Sequence, residues 1–286
     1  MVKNRKKMII RIGVCIFLLT LIIWTLWGNT ALKTTEYVIE SENIPKEFDG
    51  FIIAQISDLH NAEMGKDNKK LLSILEKSEP DIIAITGDVI DCNRTDTEIA
   101  FAFFKEAMKI APCYYIRGNH EAWITEEALS KFEKAISDIG VILLRNEGVS
   151  LEKGGEKISI SGIDDPDFAL KKHEAPSSHM SVENIKSIAG NNSYKILLSH
   201  RPEYFENYVS AEVDLALTGH AHGGQFRIPF AGGIYAPNQG FFPEYDCGLY
   251  EKNDTKMIVS RGIGNSVFPL RLNNRPEVVL VWLSSK

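Results

Sequence analysis

Cysteine is scarce in this chain and carries no metal-binding pattern: four residues stand at 15, 92, 113 and 247 without a Cys-x-x-Cys pair. A zinc finger is thereby excluded, and the three cysteines beyond the first cannot all pair with one another, so no disulfide framework is expected. Low-complexity tracts and repeats of fixed period are also missing. A hydrophobic fraction of 44% with 24% charged residues belongs to a folded chain rather than a disordered one. Acidic residues are absent from the first 35 positions, which hold Lys3, Arg5, Lys6, Lys7, Arg11 and Lys33. Set against −6 overall, these six bases leave −12 on the remainder. A body that acidic, with no basic stripe, repels a polyanion, so no nucleic-acid partner is expected.

One long apolar run is present. From Ile12 to Gly28 there are 17 residues without a charge, preceded by Met8, Ile9 and Ile10. As a helix this stretch reaches roughly 30 Å, the thickness of a bilayer core. The bases before it predict a cytoplasmic N-terminus; Trp24 and Trp27 belong at the far interface, which places the chain after about residue 30 outside. No small-x-small cleavage pattern follows, favouring an uncleaved single-pass anchor in the cell membrane over a signal peptide. The expected organisation is a basic tail and transmembrane anchor at 1–30, a linker with a first strand at 31–49, and one catalytic domain at 50–286.

Beyond the anchor, short apolar runs alternate with amphipathic segments, the pattern of α/β architecture. Strands are predicted at Phe51 to Ser57, Asp81 to Thr86, Cys113 to Arg117, Lys157 to Ser161, Tyr194 to Ser199 and Val213 to Thr218. Apolar residues recur at helical spacing in Lys69 to Lys77, Glu98 to Lys109 and Glu126 to Ile139. After residue 222 the helical pattern fades, and Lys256 to Ser260 and Glu277 to Leu283 predict a second, more antiparallel set of strands.

Five motifs fall at strand ends: Asp58-Leu-His60, Gly87-Asp88-Val-Ile-Asp91, Gly118-Asn119-His120-Glu121, Ser199-His200 and Gly219-His220-Ala-His222-Gly223. Singly each is weak. Together they gather five of the seven histidines, leaving His173 and His179 to a polar surface loop. Ligands collect at the carboxyl ends of strands in α/β sheets, so distant motifs can converge. The donors Asp58, His60, Asp88, Asn119, His200, His220 and His222 are too many for one tetrahedral ion and, with one shared carboxylate, suit two. Imidazole with carboxylate favours zinc, iron or manganese.

In this order the motifs resemble the signature of the calcineurin-like metallophosphoesterase superfamily: D-x-H, G-D-x-x-D, G-N-H-E/D, a later His, and G-H-x-H. The segments SHRPEYF at 199–205, GHAHGGQFRIP at 219–229 and VSRGIGNS at 259–266 are similar to its bacterial membrane-associated phosphodiesterases. The resemblance implies a four-layer α/β/β/α sandwich of two mixed sheets flanked by helices, behind an N-terminal transmembrane helix. It implies a metal-dependent phosphoric ester hydrolase in which Asp58, His60, Asp88 and His222 hold one divalent or trivalent ion (Mn, Fe or Zn) and Asp88, Asn119, His200 and His220 a second. Asp88 would bridge them, and a bridging hydroxide would attack phosphorus. His120 would serve the leaving-group oxygen as general acid or positive orienting group, with Glu121 and Asp91 as supporting partners. Asn119 and Arg261 would touch the substrate phosphate, although a surface salt bridge accounts equally for Arg261.

A phosphodiester is the expected substrate, a lipid or other cell-envelope ester included. Two alternatives stand beside it: a pyrophosphate hydrolase like UDP-2,3-diacylglucosamine diphosphatase, and a non-catalytic metal-binding scaffold. The outward orientation speaks against the first, and the complete donor set against the second. Unlike relatives with twin-arginine signals, this chain has no Arg-Arg pair before its apolar run, which implies insertion unfolded and metal acquisition outside.

Overall fold

A computed structural model describes residues 2–175 and 179–286. Helix α1 spans Val2–Thr30, and its segment Arg5–Thr30, 26 residues long, holds an unburied 18-residue stretch with a mean hydropathy of 2.5. Among the described residues it is the one helix long and apolar enough to cross a membrane. The strands follow as β1 (Lys33–Ser41), β2 (Ile52–Ile56), β3 (Ile82–Thr86), β4 (Cys113–Ile116), β5 (Ile142–Leu143), β6 (Glu147–Lys153), β7 (Glu156–Gly162), β8 (Lys195–Leu198) and β9 (Leu215–Thr218). Two short hairpins, β10 (Arg227–Ile228) with β11 (Gly232–Gly233) and β12 (Tyr235–Ala236) with β13 (Gly240–Phe241), precede β14 (Gly248–Lys252), β15 (Thr255–Val259) and β16 (Glu277–Ser285).

The large strands make two six-stranded sheets, ordered β1-β16-β2-β3-β4-β5 and β14-β15-β9-β8-β7-β6. Both are mixed. In the first, β2 to β5 run parallel and β16 opposes β2 while lying parallel to β1. In the second, β15, β9, β8 and β7 run parallel, and only the outer strands β14 and β6 are antiparallel. The expected second, more antiparallel set is therefore corrected. Its antiparallel character is confined to two edge hairpins, and Glu277–Ser285 belongs to the first sheet. Strand pattern reports which residues face a core, not which sheet a strand joins.

Three apolar layers hold the stack together. Ile53, Ile116, Ile196, Leu198, Leu217 and Val281, all without exposure, interlock between the sheets. The opposite face of the first sheet packs on α2 (Lys69–Ser78), α3 (Glu98–Ala107) and α4 (Glu126–Asp138) through Leu71, Leu75, Phe104 and Phe132. Helices Val182–Ala189 and Phe205–Ser210 cover the second sheet with Ile185, Phe205 and Tyr208. The result is a four-layer α/β/β/α sandwich.

Between the sheets the apolar packing is interrupted by the fully buried Gln55 of β2. Its Nε2 donates to the Thr218 carbonyl of β9 at 2.8 Å and to Thr86 Oγ1 of β3 at 3.1 Å. These bonds tie the two sheets where β2, β3 and β9 end. Replacing Leu217 by alanine removes buried contacts from the inter-sheet layer and is expected to lower stability by about 2–5 kcal/mol. Val38→Ser, on the exposed face of β1, should stay within roughly 0.5 kcal/mol; comparable denaturant midpoints for the two variants would contradict this layering.

Candidate metal centre

Strands β2, β3 and β4 deliver Asp58, His60, Asp88 and Asn119 just past their ends, and β8 and β9 deliver His200, His220 and His222. To turn these side chains inward, the backbone leaves its ordinary conformations. Asp58, His60, Asp88, His220 and His222 have φ of 51°, 44°, 52°, 64° and 48°, a left-handed region that costs non-glycine residues energy and gathers at functional sites. Gly87, at φ 90°, allows a close approach: a Cβ there would lie 2.7 Å from Gly118 Cα and from His200 Nδ1.

Seven of the donors expected from the motifs come together. His200 Nε2 stands 3.2 Å from Asp88 Oδ2 and 3.2 Å from Asn119 Oδ1. Next to it, His60 Nε2 lies 3.5 Å from the same Asp88 oxygen and 3.2 Å from His222 Nε2, which is itself 3.4 Å from Asp58 Oδ1. Asp58, His60 and His222 form one compact group of potential ligand atoms, and Asp88, His200 and His220 another. All these side chains are buried except Asn119, at the pocket wall.

Hydrogen bonds at the outer ring nitrogens settle which atoms face the centre. His200 Nδ1–H donates to the Thr86 carbonyl at 2.7 Å, leaving Nε2 for the cluster. His220 Nε2–H donates to Asn238 Oδ1 at 2.9 Å, leaving Nδ1. The Asn238 oxygen also accepts from Arg201 Nη1 at 2.5 Å, which fixes it as an acceptor.

Burial disfavours charge throughout. It holds His60 and His220 well below the usual imidazole range, with Arg201 adding to the effect on His220, and pulls His222 down to about 4. Burial also works against ionised Asp88, but the adjacent His200 outweighs it and keeps that carboxyl well below the usual range. For His200 the same pairing overcomes burial and pushes the ring up to about 10. The residues fit a cation on this ground: three acceptors converge on His200, whose Nε2 faces two oxygens, and buried His60 Nδ1 has no partner. A positive charge between imidazole nitrogen, carboxylate and amide oxygen satisfies a set that neutral rings cannot satisfy by themselves.

His120 joins His60 and Asp88 in a further group of potential ligand atoms. Its Nδ1 accepts from the Cys92 N–H at 3.1 Å, so its proton sits on Nε2, which meets Ser266 Oγ at 3.0 Å. It lines a cavity of about 390 Å³ with Asp88, Asn119, Arg201, His220 and His222. A second cavity, of about 510 Å³, adjoins across Ser266 and Val267 and is lined by His60, Asp91 and Arg94.

The supporting partners act through the backbone. Glu121 accepts from the N–H groups of Asp88 (2.8 Å), Gly118 (2.7 Å) and Ile90 (3.0 Å), clamping the β3 and β4 loops together. Burial and Asp88 push this carboxyl up to about 7. Asp91 accepts from Asn93 N at 2.9 Å and pairs with Arg94 at 2.7 Å.

Arg261 lies elsewhere. Its Nε is 3.8 Å from Glu277 Oε1, and it borders a small cavity beside Trp24 and Trp27, outside the two cavities at the centre. Sequence reasoning missed two other arginines. Arg201 is held by Asp165 and Asp167 and reaches His220 at 3.0 Å; its position beside His200 was the available signal. Arg271, fully buried, reaches His222 Nδ1 at 3.3 Å and is drawn down to about 10 by burial.

Residues 51–224 match the family model described as calcineurin-like phosphoesterase. The chain is 33% identical over 262 residues to the uncharacterized metallophosphoesterase YkuE of Bacillus subtilis, covering 89% of this chain and 86% of that protein. It is 30% identical to an uncharacterized metallophosphoesterase of Aquifex aeolicus, over 89% of this chain and 93% of the other. Phosphodiesterase YaeI of Escherichia coli is 26% identical over 72% of each chain.

Glu121→Ala leaves three buried N–H groups without an acceptor and is expected to cost about 3 kcal/mol or more. In a chain of this size that is a fall of roughly 6–12 °C in melting temperature. Melting within a degree or two of the parent would show that the two loops hold without the clamp.

Proposed function

The chain belongs to the calcineurin-like phosphoesterase family and is a metal-dependent phosphoester hydrolase, and we propose that it is a dinuclear phosphodiesterase whose catalytic body stands outside the membrane. The observation that carries this reading is the pair of donor groups that meet at Asp88. Asp58, His60, Asp88 and His222 would hold one ion, and Asp88, Asn119, His200 and His220 the other. Manganese, iron and zinc suit this mixture of imidazole, carboxylate and amide oxygen. Bound there, the ions supply a Lewis acid for the phosphoryl oxygens and an acidified water as nucleophile.

The protein's own groups do the rest. Asn119 lies at the cavity wall, where its amide N–H can meet a phosphoryl oxygen while its Oδ1 faces His200. His120, locked by the Cys92 N–H, presents Nε2–H to the leaving-group oxygen as charge develops on it. Asn238, its oxygen held as an acceptor by Arg201, keeps the His220 ring in the tautomer that turns Nδ1 inward. Cavities on both sides of Ser266 and Val267 leave room for a group on each ester oxygen, which favours a diester over a monoester. The name of the Escherichia coli relative points the same way.

The orientation rests on the bases in the first turns of α1 and the apolar run behind them. On that side of the membrane the substrates within reach are lipid-borne or other cell-envelope phosphodiesters.

Full-length protein stripped of metal should hydrolyse bis(p-nitrophenyl) phosphate only after manganese or zinc is restored, with p-nitrophenyl phosphate the poorer substrate. Asp88→Ala should abolish turnover and metal retention together. His120→Ala should keep its metal, measured by elemental analysis, and lose roughly 10²–10⁴ in kcat. A folded, metal-loaded parent inert towards both esters would refute the hydrolytic reading.

A further inference from the structure

Two loops beside the mouth of the catalytic cavity form one surface. Phe226 meets Phe268 edge to face with ring centroids 5.0 Å apart, Gln225 Nε2 donates to the Phe268 and Leu270 carbonyls at 2.9 and 2.6 Å, and Arg227 N donates to the Leu272 carbonyl at 3.0 Å. Large apolar side chains stand out from it into solvent: Phe230 is fully exposed, Val267 is 84% exposed, Phe241 74% and Phe242 67%. Single exposed apolar residues are ordinary, but such a contiguous group marks an interaction surface.

Charge narrows the partner. No acidic residue occurs from Gly219 to Pro243 or from Ser260 to Pro276, stretches that carry Arg227, Arg261, Arg271 and Arg275, although the chain as a whole is at −6. An apolar surface built from loops without acidic residues, on an acidic protein, matches a lipid headgroup boundary over an acyl interior.

The anchor fixes the position of that surface. In the last turn of α1, Asn29 clasps the main chain of Arg271 from both sides, accepting from its N–H and donating to its carbonyl at 2.8 Å each. Arg275 lies over the Trp27 ring at 4.9 Å and donates to the carbonyls of Ala31 and Leu32 at 2.8 and 2.6 Å. Arg271 sits between the exposed Leu270 and Leu272, so the loop that bears the patch is bonded to the end of the apolar helix. Trp24 and Trp27, one turn earlier, are the residues that settle at a membrane interface.

We propose that the 226–242 and 266–272 loops dock on the bilayer that holds α1, seating Phe230, Phe241, Phe242 and Val267 at the headgroup boundary. Tyr235, Val267 and Phe268 line the catalytic cavity as well, so its mouth opens on the lipid surface and receives phosphodiesters that carry an acyl or alkyl chain. The inference rests on the reading of α1 as a membrane anchor and of the cavity as a hydrolytic site.

The test uses the full chain in lipid nanodiscs. Tryptophan introduced as Phe230→Trp or Phe242→Trp should have its added emission quenched at least twofold by lipids brominated near the headgroup, whereas Val149→Trp, on edge strand β6, should not respond. Equal responses at all three positions would overturn docking, whatever the enzyme's activity. In a second arm, a Phe230→Ser, Phe241→Ser, Phe242→Ser triple variant should hydrolyse methyl p-nitrophenyl phosphate in solution at the parent rate and hexadecyl p-nitrophenyl phosphate dissolved in the disc at least tenfold more slowly. Parallel rates on both esters would overturn supply from the membrane. A parent inactive on both would instead sink the hydrolytic reading and leave docking to the quenching result.

Discussion

Asp88 is held as a carboxylate while almost wholly buried, and much of the molecule is arranged around that fact. A lone carboxylate buried between two sheets would take up a proton. Here His200 from the second sheet and His60 from the first stand 3.2 and 3.5 Å from the same Asp88 oxygen, while its other oxygen accepts from the His120 N–H at 2.8 Å. The charge is tolerated only where donors from both sheets meet. Hence the strands that supply them must end at one level, and the layers between them must hold that level.

Two devices hold it. Gln55 pins β2 to β9 inside the apolar layer, and Glu121 gathers three N–H groups from the β3 and β4 loops. Both lie one shell of contacts away from the donors. They let the donor-bearing turns adopt left-handed conformations that would otherwise relax, since strain of this kind persists only where the surroundings over-determine it. The donor-bearing turns are thus held by the protein's own hydrogen bonds, at a cost in backbone energy.

Much of this was legible in the sequence because the motifs sit where apolar runs stop. The predicted strands at 51–57, 81–86 and 113–117 match β2, β3 and β4 to within a residue or so, and the histidines after β8 and β9 fell into the same cluster. What escaped was non-local. Nothing in 277–283 reveals that β16 pairs with both β1 and β2, because pairing partners leave no mark on local periodicity. Arg201 and Arg271 were invisible as parts of the centre for a similar reason: an arginine in sequence is ordinarily a surface residue, and only packing shows these two to be buried against His220 and His222. Arg261 showed the reverse, a basic residue beside Gly262 that turned to Glu277.

The place of β16 has a consequence for how the protein is made. It inserts between β1 and β2, pairing with β1 over nine residues, and the turn that leads into it brings Gly262 against Asp58, where a Cβ would come within 2.6 Å of the Asp58 Cβ. Until residues 277–285 have been synthesised, β1 lacks its neighbour and the Asp58 turn lacks its cover. Completion of the donor cluster is therefore tied to a segment translated after all seven donors. As the chain emerges, β2, β3 and β4 can already pair while the sheet remains open at β2, an interval in which a chaperone or a wrongly paired strand competes with β16 for the same edge.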